Sequence, residues 1–153
     1  MAIGIAMLML TKDSPLETSA LQRELATHWP DARAGFDPTQ QSDDVIMLHI
    51  GDTQLILAKM PAPIPWSDLE GPCATSILWK NAAQEVKQHR LHWIITVMGE
   101  LEPLELSTLL TQVTAAALLV CPGAIGGIPP GGSCGGAGGC LPWQSGQFTW
   151  TVV

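Results

Sequence analysis

The side chains that could do chemistry in this sequence are its histidines, its cysteines and one run of carboxylates. His49 and His92 both fall in apolar, alternating stretches, His49 with Val45 and Met47, His92 with Ile94 and Thr96. That pattern puts each on one face of a strand. Two histidines could hold a metal ion or relay a proton. The strand order expected below sets them at opposite edges of a sheet, so surface or helix-covered histidines are the simpler reading. Cys73 sits at the expected start of a helix, where a thiolate is favoured. Its surroundings, "GPCAT", do not form a nucleophile elbow, and a buried structural cysteine needs no further residues. Glu100, Glu102 and Glu105 in "GELEPLE" could do acid–base work as a pair. They stand just before an expected helix, however, where carboxylates complement the helix dipole without any other role. The spacing of Cys73, Cys121, Cys134 and Cys140 matches no paired zinc-ligand pattern. The expectation is therefore no catalytic residues, no metal and no cofactor.

Residues 123–140, "GAIGGIPPGGSCGGAGGC", contain two of those cysteines among many glycines. A phosphate-cradling loop would need Gly-Lys-Ser/Thr running into a helix, and neither follows. Two readings of 126–153 remain. One is a flexible linker feeding a short strand at "GQFTWTVV". In the other, the natural reading ends near Gly126, and the Gly, Pro, Cys, Ser and Trp beyond it come from G- and C-rich codons read out of frame. The domain is accordingly placed at 1–125 and the tail at 126–153.

At 153 residues with 46% apolar composition, the chain suits one domain with a real core. A net charge of −7 argues against nucleic acid, which calls for a basic stripe. Every charged residue lies at or before Glu105. The apolar start, "MAIGIAMLML", lacks a preceding basic residue and is too short to span a bilayer. Residues 106–120 carry several Ser, Thr and Gln residues and read as a buried helix rather than a span. A cytoplasmic protein with reduced thiols and no membrane contact is expected.

The elements that would position these side chains follow in order. Residues 2–10 read as a strand buried on both faces, with Ile3, Ile5 and Met7 in the core. "SPLE" suggests a helix capped by Ser14 and Glu17, with Pro15 at its first position and Leu16, Ala20, Leu21 and Leu25 on one face. "VIMLHI" and "QLILAKM" read as strands around a glycine turn at Gly51. "PAPIPWSDLEGP" reads as loop, then one helix from about Pro72 to His89 with Ile77, Leu78, Ala82 and Val86 inward. Strand 91–99 and a helix from about Pro103 complete the order β-α-β-β-α-β-α. The expected class is α+β: a ferredoxin-like β-α-β-β-α-β unit with an additional C-terminal helix. Its antiparallel four-stranded sheet would have strands 2–10 and 54–60 at the centre.

The stretches "MPAPIPWSDLEGPC" and "HRLHWIITV", with the helix bearing Trp79, resemble a bacterial family known as a domain of unknown function, over roughly residues 3–125. Some similar small proteins are encoded beside secreted toxins, including those of type VI secretion systems, and act as immunity proteins. The resemblance implies a non-catalytic, immunity-type module that binds and neutralises a cognate toxin. The acidic balance would suit a basic protein partner. The candidate contact residues are Trp66 as an anchor and Asp43, Asp44, Asp68, Glu70, Glu100, Glu102 and Glu105 as acidic contacts. Uncovered edge strands would also allow a homodimer. The competing reading is a small enzyme or metabolite-binding domain of ferredoxin-like fold, since fold alone does not set function.

Overall fold

The computed structural model describes residues 1–28, 30, 37–76, 79–128 and 141–142. The fold is α+β. Its strands are β1 (Ala2–Leu10), β2 (Asp37–Gln41), β3 (Val45–Ile50), β4 (Thr53–Met60), β5 (Leu91–Gly99), β6 (Ala124–Ile128) and β7 (Leu141–Pro142). Its helices are α1 (Thr18–His28), α2 (Trp66–Thr75), α3 (Ala82–Val86) and α4 (Pro103–Val120). Among the described residues the strands form one antiparallel sheet in the order β2-β3-β4-β5-β1-β6-β7. The antiparallel α+β class and the helix–strand alternation are as the sequence suggests. The strand count and pairing order are not: β5 lies between β1 and β4, and further strands flank the expected four.

The cause is the connection between β4 and β5. A single helix over 72–89 would be about 27 Å long, enough to carry the chain to the far end of the sheet. Instead, α2 begins at Trp66, ends at Thr75, and is followed by the five-residue α3. Leu69 and Cys73, one turn apart on the same side of α2, are both buried. Their packing overrides the breaking tendency of Gly71 and Pro72, so the helix starts six residues before the expected boundary at Pro72. Between the two helices, the buried Trp79 indole donates to Glu85 Oε2 at 2.8 Å. The chain returns to the end of the sheet it left, and β5 pairs directly with β4, with His92 opposite Met60.

The strand register fixes two faces. Ala6, Leu8 and Leu10 of β1 lie in line with Ile95, Trp93 and Leu91 of β5. Leu55 and Leu57 of β4 and Ile46 and Leu48 of β3 complete that face. It packs against Leu21 and Leu25 of α1 and against Leu110, Val113, Ala116 and Ala117 of α4. Gly4 lets α4 approach, since a Cβ there would stand 3.2 Å from Leu106 Cγ and Leu110 Cδ2. By length and composition α4 could cross a membrane, but its C-terminal half lies in this core. The first and last long helices therefore share a face, whereas the expected arrangement put the first two together. The opposite face carries a smaller cluster: Met9 with Ile64, Leu69, Cys73, Trp79, Ala82 and Val86.

Other expectations shift at the boundaries. Helix α1 starts at Thr18 rather than Pro15, and Glu17 rather than Ser14 supplies the first carbonyl, to the Leu21 N–H at 3.0 Å. Ala20 is half-exposed. Strand β6 runs past the expected domain limit at 125 to Ile128, pairing with β1. At the turn before it, Thr11 N–H donates to Gly123 O at 2.9 Å. A Cβ on Gly123 would lie 2.7 Å from Lys12 O and Ser14 Oγ, too close for any other residue. Ile77 and Leu78, the strand reading of 147–153, and Cys134 and Cys140 lie outside the described residues.

Replacing Leu57, which is fully buried, with Ala should lower unfolding free energy by about 2–5 kcal/mol. Ile3→Ala, on the exposed face, should change it by about 0.5 kcal/mol or less. Urea denaturation midpoints read both, and equal losses would contradict the assignment of faces.

Candidate functional site

The apolar start of the chain reads as buried on both sides, yet Ile3 and Ile5 are 54% and 42% exposed. They belong to a second sheet face on which the register builds three cross-strand rows. The first is Ile3, Met98, Gln54 and His49; the second is Ile5, Thr96, Ile56 and Met47; the third is Met7, Ile94, Ala58 and Val45. Ten of these twelve residues are half-buried, and Ile3 and Ile5 are exposed. Among the described residues, α2 and α3 cover the next part of this face, around Met9 and His92, and their cluster reaches Met7 at the edge of the third row. No residue of the three rows carries a formal charge, whereas the chain has a net charge of −7. Hydrophobic surface this continuous is uncommon on a lone domain and marks contact surfaces.

Carboxylates stand at both ends of these strands. At one end are Asp52 in the two-residue hairpin and Glu100, whose Oε1 accepts from the Met1 amino group at 2.8 Å. Gly51 in that hairpin has φ +56°, the left-handed region in which glycine is unstrained. An open cleft of about 400 Å³ there is lined by Met1, Asp52, Gln54, Met98 and Glu100, among others. At the other end Asp43 and Asp44 occupy the turn into β3, shaped by the Ser42 N–H to Val45 O bond of 2.8 Å. Lys59 lies between Asp44 Oδ1 at 3.0 Å and Asp13 Oδ1 at 3.2 Å, and 5.8 Å from the centroid of the Trp93 ring. The bond to Asp44 is the main influence holding the Lys59 ammonium above the usual lysine range. A second open cleft, of about 390 Å³ and lined by Asp13, Glu17, Asp43 and Lys59 among others, opens on the helix-covered side.

The structure divides the sequence-predicted contact residues into separate groups. Asp43 and Asp44 lie at one end of the strands and Glu100 at the other. Glu102 and Glu105 cap α4: Glu105 Oε2 accepts from the Glu102 N–H at 3.1 Å, and Glu102 returns a capping bond. Their helix-capping role is the simpler of the two readings. Asp68 and Glu70 are exposed on α2. Trp66 is half-buried against the smaller cluster, with Lys87 Nζ 4.3 Å from the centre of its ring. Cys73 is the eighth residue of α2, well past its N-terminus, and is buried and unoxidised, so the thiolate argument does not apply to it. Burial pushes the Cys121 thiol up. His49 and His92 occupy strands with one strand between them, in different rows, and do not form a pair. Among the described residues, no three His, Cys, Asp or Glu side chains gather as a metal site.

Sequence reasoning missed His89, placed inside a helix that in fact ends at Val86. Its ring is buried, with Nδ1 donating to Val86 O and Nε2 accepting from the Ile64 N–H at 2.8 Å. Accepting at Nε2 requires the neutral ring. His92, also buried, donates from Nδ1 to Ala62 O at 2.8 Å. Together they pin residues 61–65, from which α2 starts, to the beginning of β5. The available signal was the proline-rich loop, whose backbone donors and acceptors need partners when buried.

Burial lowers the His92 imidazolium below the ordinary histidine range, against the bond to the Ala62 carbonyl, which favours the charged ring. Between about pH 6.5, the unfolded value, and that lower folded value, the unfolded chain binds a proton that the folded chain does not. Stability should therefore fall as pH drops below about 6.5 and level off below the folded value. Urea midpoints measured from neutral to acidic pH, with the His92→Gln variant as control, read this. A variant that retains the full acid-side loss would remove His92 as its source.

No described protein family matches the chain, and neither the curated proteins nor the solved structures contain a significant match.

Proposed function

We propose that this protein is a non-catalytic protein-binding module, and that the open sheet face of β3, β4, β5 and β1 is where its partner docks. The observation that carries the reading is the set of three uncharged, largely apolar rows, of which, among the described residues, only Met7 packs against the neighbouring helical cluster. Leaving isoleucine, methionine and valine side chains in water costs about 25 cal/mol for each Å² of apolar surface, and a docking partner recovers that free energy. Acidic groups outside an apolar centre give the core-and-rim division of protein interfaces.

The more specific form of the proposal is an immunity-type protein of the bacterial cytoplasm that neutralises a toxin, including toxins of type VI secretion. Support for it comes from the resemblance carried by "MPAPIPWSDLEGPC" and "HRLHWIITV" and from the acidic balance of the chain. The element order is compatible with the ferredoxin-like class, but function is not argued from that class. In this reading Trp66, beside the smaller cluster, borders the docking face rather than anchoring it.

The test is co-expression with the product of the adjacent gene. Growth protection and a stable complex are expected, with hydrogen-exchange protection on β1, β4 and β5. Ile5→Ser combined with Ile56→Ser should abolish both, while the thermal midpoint stays within a few degrees. A complex that forms equally well with the serine variant, or a substrate turned over by the purified protein, would overturn the proposal.

A further inference from the structure

We propose that the methionines of the open sheet face are sites of reversible oxidation by peroxide, and that their conversion to sulfoxide closes the face to its partner; this rests on the binding reading above. The placement comes from strand register. Met7 of β1, Met47 of β3, Met60 of β4 and Met98 of β5 alternate with core residues and lie on the open side of the sheet, as does Met9 beneath α2 and α3. Met1, the sixth methionine of the chain, lines the cleft at the end of that face beside Gln54 and Met98. The leucines divide the other way. Leu8, Leu10, Leu48, Leu55, Leu57 and Leu91, all the leucines of these four strands, are buried on the helix-covered face.

Leucine has few, well-defined rotamers and suits a permanent core. Methionine is unbranched and flexible, with a polarisable sulfur, and repacks against an incoming surface. A sheet side built from methionine in place of leucine is matched to a partner that comes and goes. The same sulfur is open to chemistry. Hydrogen peroxide transfers one oxygen to the thioether: its O–O bond breaks, an S–O bond forms, the sulfur gives up two electrons, and the other oxygen leaves as water with both protons. The sulfoxide is polar, and inside an apolar interface its oxygen finds no donor. A sulfoxide reductase reverses the step, with a dithiol oxidised to a disulfide and the oxygen released as water. Access is graded along the face: Met60 is 41% exposed, Met7, Met47 and Met98 are half-buried, and Met9 is fully buried. Cys73 and Cys121 are buried, so among the described residues the sulfur within reach of peroxide is methionine's.

The test treats the full chain with hydrogen peroxide, then with dithiothreitol to reset cysteine disulfides. Mass spectrometry locates the sulfoxides, and titration calorimetry against the product of the adjacent gene reads docking. Sulfoxide should form first at Met60, then at Met7, Met47 and Met98, and last at Met9, while the thermal midpoint stays within a few degrees. Affinity should fall by at least about tenfold and recover after treatment with methionine sulfoxide reductase. The Met7→Leu, Met47→Leu, Met60→Leu, Met98→Leu variant, whatever its starting affinity, should keep that affinity within about twofold after peroxide. Full affinity of the oxidised wild-type chain would overturn the inference, as would oxidation of Met9 as fast as the others or an equal loss in the leucine variant. Reductase rescue decides the matter without that variant: affinity that stays lost once the sulfoxides are gone would also overturn it. A reduced chain that sediments as a dimer and disperses on oxidation would overturn it in favour of a second copy. A reduced chain that binds nothing would sink the binding reading, and this inference with it, whereas binding that peroxide leaves untouched would sink the switch alone.

Discussion

The connection from β4 to β5 starts and ends at the same end of the sheet, and most of the architecture depends on that return. Because residues 61–90 do not cross the sheet, β5 enters beside β4 and separates it from β1. The two short helices of the excursion settle over one part of one face, held by the smaller cluster around Met9. The long helices α1 and α4 take the other face and bury its leucines. An antiparallel sheet tolerates one solvated side. Here, among the described residues, the side left open is largely apolar: isoleucine, methionine, valine and alanine fill its rows apart from Gln54, His49 and Thr96.

The polar anchor of the excursion is small but well satisfied. His89 uses both ring nitrogens and His92 uses one, and their partners are the backbone of a segment rich in proline, which has few donors of its own. Losing a buried partner leaves the other group desolvated and unpaired, which costs about 1–3 kcal/mol. The loop, the start of α2 and the edge of the covered region are thus held by two imidazole rings at the entry to β5.

Much of this fold was legible from pattern alone. The alternation in "VIMLHI" and "QLILAKM", the glycine turn between them, the apolar stripe of α1 and the proline start of α4 all correspond to elements with the expected faces. Leu16, Leu21, Leu25, Ala82 and Val86 are buried as expected. What failed has physical reasons. A continuous apolar run such as "AIGIAMLML" has no period, so it cannot say which side is covered, and Ile3 and Ile5 were assigned to the core for that reason. Gly71 and Pro72 carried a boundary that tertiary packing of Leu69 and Cys73 displaced. Strand order followed from one long helix that the chain does not form. Charges and a lone tryptophan stand out in the sequence, whereas the proposed docking face is visible only in the strand register, which brings Ile5, Ile56 and Met47 into one row.

Strand β1 has a consequence for biosynthesis. Its partners are β5, where Ala2 meets Gly99, and β6, where Met7 meets Ile128. During translation this apolar nine-residue segment is made before either of its neighbours. Loop closure over such separations is slow, and an unpaired apolar strand is prone to aggregate while it waits. Until β5 and β6 have been made, the nine-residue apolar run of β1 lacks the pairing that shields its backbone and side chains.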